Sequence, residues 1–216
     1  MGMRTLRLYD FLPSGNGYKV RLLLTQIGMP FERIEMNILK GETRTPEFLN
    51  KNPVGKIPLL EIDSEKYLSE SNAILSYLSE GTEFLPYDHY LRAKVMQWLF
   101  FEQFSHEPFI AKSRYLISIL GKPEEYHQLI EQMREPGYVA LTVMENHLQN
   151  HLFFVNERYT IADISLFAYT HVADEGGFDL HKFPAILAWI ERIQQQPNHI
   201  SIQEKNLLKF DSIIVS

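Results

Sequence analysis

Apolar and polar residues alternate at the start of the chain, and a helical spacing follows. The stretch from Arg4 to Tyr9 alternates residue by residue, which predicts a strand. A turn reading P-S-G-N-G comes next. One apolar stripe then predicts a helix that ends near Gly28; its members are Val20, Leu23, Leu24 and Ile27. The run from Phe31 to Ile38 predicts a second strand, so this spacing indicates a right-handed crossover and a parallel pair.

The next forty residues predict a short helix, a hairpin and a third helix. Thr45 and Pro46 suit the cap and the first position of a helix. Pro58 heads an apolar run, and the polar residues Asp63 to Lys66 separate that run from a second one, which predicts a hairpin. The polar group Ser69 to Asn72 precedes helical spacing, so one of its members is expected to cap a helix. The predicted order is βαβαββα, an α/β domain over residues 1–80.

Helical periodicity dominates the rest of the chain. Residues 81–90 contain Gly and Pro without sustained periodicity and are predicted to be a linker. An all-helical domain is predicted for residues 91–216, with helices over 91–120, 124–148, 161–172 and 184–195. Thr160 and Asp163 form a capping box at the third of these helices. Replacing Asp163 with Ala is therefore expected to destabilise the fold by about 1 kcal/mol or more.

Composition and charge restrict the classes of function. The 216 residues carry a formal charge of −6 and no long basic run, which argues against nucleic acid as a partner. No window has the roughly 18 consecutive apolar residues of a membrane span, and the first residues lack the apolar core of a secretory signal, so a cytoplasmic location is expected. The chain has no cysteine. Any thiol chemistry must therefore use a thiol that a ligand supplies.

The stretch from Asn52 to Ile74 combines a proline loop, a hairpin and a helix start, and it is the predicted ligand site. Ile57 precedes Pro58, and an Ile-Pro bond can be cis or trans; a cis bond would turn the amide and carbonyl of Ile57 outward, where an extended peptide could pair with them. The following helix start suits a carboxylate, with the Ser71 hydroxyl as a donor and Glu70 as a partner for an ammonium group. Simple capping is the alternative interpretation.

These residues carry a family resemblance. N-P-V-G-K-I-P-L-L-E followed by S-E-S-N-A-I-L-S-Y-L resembles the glutathione-binding half of the cytosolic glutathione S-transferases. The turn S-G-N-G-Y-K-V-R-L is similar to the catalytic turn of the bacterial serine-type, nu-like branch. The resemblance covers nearly all of residues 4–200. It implies a thioredoxin-like N-terminal domain, an all-helical C-terminal domain, glutathione as co-substrate and a homodimer.

The resemblance also assigns roles to individual residues. A donor that activates the glutathione thiol would come from Ser14, Asn16 or Tyr9, in that order, and the sequence leaves the choice open. Ser and Asn in a turn also serve local capping, and a tyrosine in a strand is more often packing. Around the peptide, Ile57, Pro58, Glu70 and Ser71 match the family pattern. Arg44 and Lys56 stand where the family places polar or basic side chains against the glycine carboxylate, although both residues also suit a solvated surface.

The first long predicted helix is dense in aromatic residues. They are too many for one narrow stripe, so some are expected to face a pocket or a subunit interface. By resemblance, the electrophile pocket is assigned to Phe11, Leu12, Phe104, His106 and Phe109. The eight histidines show no H-E-x-x-H or comparable spacing, so no metal site is predicted.

The predicted function is therefore a glutathione S-transferase, in which bound glutathione thiolate attacks a small hydrophobic electrophile, as in detoxification. Two alternatives remain open. One is a glutathione-dependent disulfide reductase or peroxidase, which Asn16 and the absence of cysteine favour. The other is a non-catalytic interaction module that has kept the fold.

Overall fold

The computed structural model describes residues 5–64 and 66–205, and it divides into two compact units. The first unit runs to Glu80 and includes the described residues from Pro197 onward, and the second runs from Gly81 to Gln196. Three sequence predictions fall partly outside the described residues: the start of the first strand at Arg4, position 65 of the hairpin, and residues 206–216 of the expected helical domain.

The first unit has the predicted βαβαββα order. Its strands are β1 (Leu6–Asp10), β2 (Glu32–Glu35), β3 (Leu59–Ile62) and β4 (Lys66–Ser69). Its helices are α1 (Gly15–Gln26), α2 (Pro46–Lys51) and α3 (Ser71–Leu78), with 3-10 turns at Ile38–Lys40 and Glu42–Arg44. The sheet order is β2-β1-β3-β4, with β1 parallel to β2 and antiparallel to β3. This confirms the predicted parallel pair and the predicted thioredoxin-like fold.

The alternation along β1 sends its side chains to opposite faces of the sheet. Asp10 faces α1, where its carboxylate meets Arg21. Tyr9 faces the other way and packs edge-on against Phe48 of α2, in a small core that also contains Leu59. The sheet therefore separates the α1 side from the α2 side, and this separation determines which residues can reach the turn after β1.

The second unit is helical. It contains α4 (His89–Phe101), α5 (Glu107–Arg114), α6 (His127–Leu148), α7 (Ile161–Thr170) and α8 (Pro184–Gln194). Two π-helical turns, Glu102–His106 and Tyr115–Ile119, follow α4 and α5. The predicted helix over 91–120 is thus an α-helix that widens twice. Within residues 5–64 and 66–205, no helix is both long enough and apolar enough to cross a membrane.

The domain boundaries differ from the prediction at two places. α4 begins at His89, inside the predicted linker. The described residues after Gln196 belong to the first unit rather than to the helical one. Tyr18 of α1 donates a hydrogen bond to the carbonyl of Ile200, and Arg21 donates one to the carbonyl of Ile202. Apolar periodicity could not predict this return, because it depends on two long-range polar contacts.

Two carboxylates organise the helical unit. Thr160 and Asp163 form the predicted capping box at the start of α7, which confirms that prediction. The second carboxylate, Glu145 of α6, accepts hydrogen bonds from the amides of Ala185 and Ile186, at 3.0 and 2.9 Å. Because the N-cap residue of α8, Phe183, makes no side-chain capping bond, Glu145 supplies the cap from another helix.

Replacing Glu145 with Gln is expected to lower the free energy of unfolding by about 1–2 kcal/mol. The amide side chain keeps one acceptor oxygen, but its NH2 group would then face a backbone N–H. Chemical denaturation monitored by circular dichroism measures the loss. Exposed Glu135 on the same helix is the control, and Glu135→Gln is expected to change stability by less than about 0.5 kcal/mol. Equal effects of the two substitutions would rule out the capping role.

Candidate functional site

The turn between β1 and α1 carries the first group of candidate residues. The amide of Ser14 donates to the carbonyl of Phe11 at 2.7 Å, which closes the turn. Ser14 is the N-cap of α1, and its Oγ accepts from the amide of Gly17 at 3.4 Å. A hydroxyl oxygen that accepts a hydrogen bond can still donate its own hydrogen. Capping and donation to a ligand are therefore compatible at Ser14.

Asn16 is held by residues from two helices. The Ser71 hydroxyl donates to Oδ1 of Asn16 at 3.1 Å, and Nζ of Lys19 donates to the Ser71 hydroxyl at 3.4 Å. Lys19 is fully buried and Ser71 nearly so. Because Oδ1 takes the Ser71 hydrogen, the Nδ2 donors of Asn16 are directed away from Ser71. The structure therefore brings Asn16 and Ser71 together and fixes the orientation of the amide.

This contact also joins the beginnings of two helices. Asn16 lies in the first turn of α1, and Ser71 is the first residue of α3. Each helix start has backbone N–H groups without intrahelical partners and a partial positive charge. The Asn16–Ser71 hydrogen bond therefore brings the two helix starts close together. Such a place favours an anion.

A buried ion pair lies beneath the turn. Nε of Arg21 lies 2.9 Å from Oδ2 of Asp10, and both side chains are fully buried. Arg33 approaches the same carboxylate at 3.7 Å. Burial raises the pKa of Asp10 to about 6, against the opposing effect of the two arginines. Arg21 also donates to the carbonyl of Leu12 at 2.8 Å, so the pair reaches the start of the turn.

Asp10 also explains why position 17 is Gly. A Cβ added there would lie 1.5 Å from Oδ1 of Asp10, so any side chain would collide with the carboxylate. The space beside Gly17 is therefore occupied by a protein side chain and is not open to a ligand.

The loop before β3 holds the predicted proline. Asn52 shapes this loop, because its side chain donates to the carbonyl of Lys56 at 2.8 Å and accepts from the amide of Val54 at 3.2 Å. The Ile57–Pro58 bond is cis, which resolves the choice that the sequence left open. Ile57 is half-buried and packs beside the Tyr9, Phe48 and Leu59 core.

Glu70 stands at the end of β4 in an unusual backbone conformation. Its φ is 68° and its ψ 112°, values that are uncommon for any residue except Gly and that concentrate at functional sites. It is the N-cap residue of α3, so one of the four polar residues expected to cap this helix does occupy that position, but its side chain makes no capping bond. Its exposed carboxylate lies next to Ser71, at the helix start that meets Asn16.

The two basic candidates lie near the proline loop and are both exposed. Nη1 of Arg44 donates to the carbonyl of Val54 at 3.0 Å, so this guanidinium holds the loop. Lys56 lies within the loop, two residues before Pro58. The structure keeps both residues near the loop and gives Arg44 a structural role as well.

Tyr9 is the one predicted thiol donor that the structure directs elsewhere. Its hydroxyl donates to Glu61 at 2.7 Å and accepts from Nζ of Lys51 at 2.6 Å. These partners lie on the α2 side of the sheet, whereas the turn leads into α1 on the other side. Tyr9 as thiol donor is therefore corrected to a packing and network role, and Ser14 and Asn16 remain.

The aromatic candidates have very different surroundings. Phe11 and Leu12 are half-buried in the turn. In the helical unit, Phe104 is 83% exposed, and Phe109 packs beside the core formed by Leu116, Ile130 and Met133.

The remaining pocket candidate, His106, is fully buried, and its Nε2 lies 2.9 Å from the hydroxyl of Thr170. Because that hydroxyl donates to the carbonyl of Leu166, it accepts from His106. His106 is therefore a core residue, and its assignment to a ligand pocket is corrected.

The sequence alone assigned no role to Lys19 or Arg21, and it placed Asn52 in the predicted ligand site without giving its side chain a role. Lys19 and Arg21 are both fully buried in α1. Two basic residues within the otherwise apolar run Y-K-V-R-L-L-L were the available signal. Within the described ranges, no group of three or more His, Asp or Glu side chains is arranged to hold a metal ion.

Comparisons with protein-family models and with solved structures indicate the same family. The model of the glutathione S-transferase N-terminal domain matches residues 4–80, and that of the C-terminal domain matches residues 110–197. A glutathione S-transferase crystal structure from Pseudomonas fluorescens Pf-5 is 48% identical, with a TM-score of 0.90 over 92% of this chain and 99% of that chain.

Two further relatives extend the comparison. The disulfide-bond oxidoreductase YfcG of Escherichia coli strain K12 is 31% identical over 87% of this chain and 89% of that protein. The glutathione transferase URE2P8 from Phanerochaete chrysosporium, solved with oxidized glutathione, is 25% identical, with a TM-score of 0.80 over 90% of this chain and 91% of that chain. With both family models matched and the thioredoxin-like and helical units in place, this chain belongs to the glutathione S-transferase family.

Proposed function

We propose that this protein binds glutathione at the Asn16–Ser71 contact and activates its thiol for attack on a small hydrophobic electrophile. The observation that carries the proposal is the meeting of the α1 and α3 starts at one hydrogen bond, beside the Ser14 hydroxyl. This arrangement supplies the start of α1 and two side-chain donors to the thiolate, and it leaves the start of α3 for a second anionic group of the same ligand. The similarity of the turn to serine-type, nu-like transferases supports the same site.

The energy that thiol activation needs is of the size that these groups supply. A free thiol has a pKa of about 8.5, so only a few per cent is thiolate at neutral pH. Lowering that pKa by about two units requires roughly 2.7 kcal/mol of preference for the thiolate. A hydrogen bond to a charged group contributes about 1.5–3 kcal/mol, and a helix start adds about 0.3–1 kcal/mol. Ser14, Asn16 and the start of α1 together meet the requirement.

The peptide portion of glutathione would be held by neighbouring groups. The backbone of Ile57, beside the cis bond, is the proposed partner for the cysteinyl segment, as an added strand would be. The amide of Ser71 would receive the γ-glutamyl carboxylate, and Glu70 its ammonium group. Arg44 and Lys56 are the proposed partners of the glycine carboxylate.

In the proposed reaction, the bound thiol releases its proton to solvent. The sulfur electron pair then forms a bond to an electrophilic carbon, and the leaving group departs with the electron pair of the broken bond. Ser14 and Asn16 hold the charge on sulfur before attack. Phe11 and Leu12 are retained as the proposed apolar contacts of the electrophile in the first unit.

Disulfide reduction is the second candidate, and the similarity to the oxidoreductase YfcG favours it. Since the chain has no cysteine, glutathione would be the only thiol at the site. A first thiolate would attack one sulfur of the substrate disulfide and release the other as a thiolate. A second glutathione would then attack the mixed disulfide, yielding oxidized glutathione and the reduced substrate.

Three assays on the same preparation separate these possibilities: conjugation of glutathione to an aryl halide, reduction of a small disulfide, and retention on immobilised glutathione. Conjugation supports the transferase, and reduction alone supports the oxidoreductase. Retention without either activity supports a non-catalytic module. Failure of retention, together with no heat of glutathione binding by calorimetry, would overturn the proposed site.

Substitutions at the two donors test the mechanism. Ser14→Ala and Asn16→Ala are each expected to lower kcat/KM by about 10–100-fold, because each removes one hydrogen bond to the thiolate. The pKa of the bound thiol, followed by thiolate absorbance against pH, should rise in both variants. Ser14→Thr keeps the hydroxyl and the cap and serves as the matched control. An unchanged thiol pKa in both alanine variants would exclude these residues as donors.

A homodimer in the cytoplasm is also proposed, from the family. Two exposed rings one helical turn apart support a subunit contact on α4 and the π turn that follows it, since Phe100 is 71% and Phe104 83% exposed. Light scattering should then give twice the chain mass of 25.3 kDa. A monomer mass at micromolar concentration would contradict the proposal.

A further inference from the structure

The described residues after α8 lie against the helix that carries the candidate turn. This segment, residues 197–205, is called the C-terminal strap. The hydroxyl of Tyr18 donates to the carbonyl of Ile200 at 2.7 Å, and Nη1 of Arg21 donates to the carbonyl of Ile202 at 3.1 Å. The side chain of Ile202 is buried. Two residues of α1 therefore hold the strap by its backbone.

Arg21 connects the strap to the turn. The same guanidinium donates to the carbonyl of Leu12 at 2.8 Å and lies 2.9 Å from the carboxylate of Asp10. It also lies 5.5 Å from the centre of the Tyr18 ring, within cation-π range. A guanidinium has five N–H donors in a rigid plane, so its three oxygen partners are fixed relative to one another.

Of the three oxygen partners of Arg21, those of Asp10 and Leu12 border the turn, and that of Ile202 belongs to the strap. Asp10 ends β1 and fills the space beside Gly17. Leu12 lies at the beginning of the turn, and the strap lies against α1 just after it. Ser14 and Asn16 stand between these fixed points. The positions of Ser14 and Asn16 therefore depend on the buried side chain of Arg21 and on the C-terminal strap, which accepts one of its hydrogen bonds.

We propose that Arg21 and Tyr18 are positioning residues through which the C-terminal strap sets the geometry of the catalytic turn. Neither residue is assigned a contact with glutathione. Loosening the strap displaces the donors of Ser14 and Asn16, while α3 and the proline loop still hold the peptide. The catalytic consequence rests on the proposed function; the mechanical coupling between strap and turn does not.

Hydrogen exchange tests the coupling without any ligand. Tyr18→Phe removes only the hydroxyl that binds the strap. Thr25→Ala is the matched control, because it also removes a buried hydroxyl from α1, one that donates to the carbonyl of Arg21 within the same helix. Amides of Ser14, Gly17 and Tyr18 are expected to exchange about tenfold faster in Tyr18→Phe than in Thr25→Ala. Equal exchange at these amides in the two variants overturns the proposal.

Kinetics test the catalytic consequence. In Tyr18→Phe, kcat is expected to fall about tenfold and the pKa of the bound thiol to rise, while KM for glutathione changes by less than about twofold. Arg21→Lys keeps a positive charge for Asp10 but cannot hold three oxygens at once, so it should show a larger effect of the same kind. A change in KM alone would contradict positioning of the sulfur donors.

Failure of the proposed function and failure of the strap proposal give different experimental results. If the unsubstituted protein does not bind glutathione, the proposed function fails, and the exchange experiment still decides the strap. If it binds and turns over glutathione but Tyr18→Phe matches Thr25→Ala in both exchange and kcat, the strap proposal fails alone. Should Arg21→Lys not fold, Tyr18→Phe decides the question.

Discussion

Replacing Asp163 with Ala should lower the free energy of unfolding by about 4 kcal/mol or more, well above the cost of a lost helix cap. Oδ2 accepts from the amide and the hydroxyl of Thr160, at 2.9 and 3.1 Å. Oδ1 accepts from the amide of Phe154 and from Nε1 of Trp189, both at 3.1 Å. The carboxylate is fully buried, so each abandoned donor would cost about 1–3 kcal/mol.

The same contacts explain why the effect should spread through the helical unit. Thr160 begins α7, Phe154 belongs to the preceding loop and Trp189 lies in α8, so one side chain joins three segments. At about 2–4 °C per kcal/mol for a chain of this size, the melting temperature should fall by roughly 8–16 °C. Differential scanning calorimetry and denaturant titration both measure this loss.

Two comparisons make the measurement specific. Asp163→Asn keeps one acceptor oxygen and the volume, so its loss should be smaller than that of Asp163→Ala. Asp174→Ala, at an exposed position of the same unit, should change stability by less than about 0.5 kcal/mol. A melting temperature for Asp163→Ala within about 2 °C of the parent would show that the donors find other partners.

The sequence predicted the order of elements well because periodicity reports which face of a strand or helix is buried. The stripe that includes Val20 and Leu23 predicted α1, and the capping box predicted the start of α7. The two π turns were not predictable, because the apolar and aromatic residues of this segment are too dense to show where the helical period shifts by one residue. The return of residues 197–205 was also missed, since it depends on Tyr18 and Arg21 meeting backbone carbonyls far along the chain.

The candidate site was predictable to a similar degree. Ser14, Asn16 and Ser71 were recognised as polar residues at helix starts, and the structure joins the last two directly. Their orientation was not predictable, because it depends on Lys19, a buried residue to which the apolar pattern assigns no contact. Tyr9 was misassigned for a related reason: alternation shows that it faces away from its neighbours, but not which helix covers that face.

Replacing Gly17 with Ala should have the largest effect on the candidate site. The added methyl group would lie 1.5 Å from Oδ1 and 2.4 Å from Cγ of Asp10. Asp10 cannot turn aside without leaving Arg21, and separating a buried ion pair costs about 3–5 kcal/mol. Either the pair breaks or the first turn of α1 moves. We expect a loss of at least about 3 kcal/mol and the abolition of glutathione binding by calorimetry.

A double variant that lacks the Asp10–Arg21 ion pair tests whether a collision with Asp10 causes the loss of stability in Gly17→Ala. With Asp10→Ala and Arg21→Met, the space beside position 17 is open and no buried charge remains alone, so adding Gly17→Ala should cost less than about 1 kcal/mol. The matched control is Gly28→Ala at the other end of α1, where no atom lies within 4 Å but φ is +65°, so a cost of about 1–2 kcal/mol is expected in both backgrounds. If Gly17→Ala costs the same in both backgrounds, Asp10 is not what requires Gly at this position. A coupling of about 2 kcal/mol or more would identify Gly17 as the residue that lets a buried carboxylate support the turn from below.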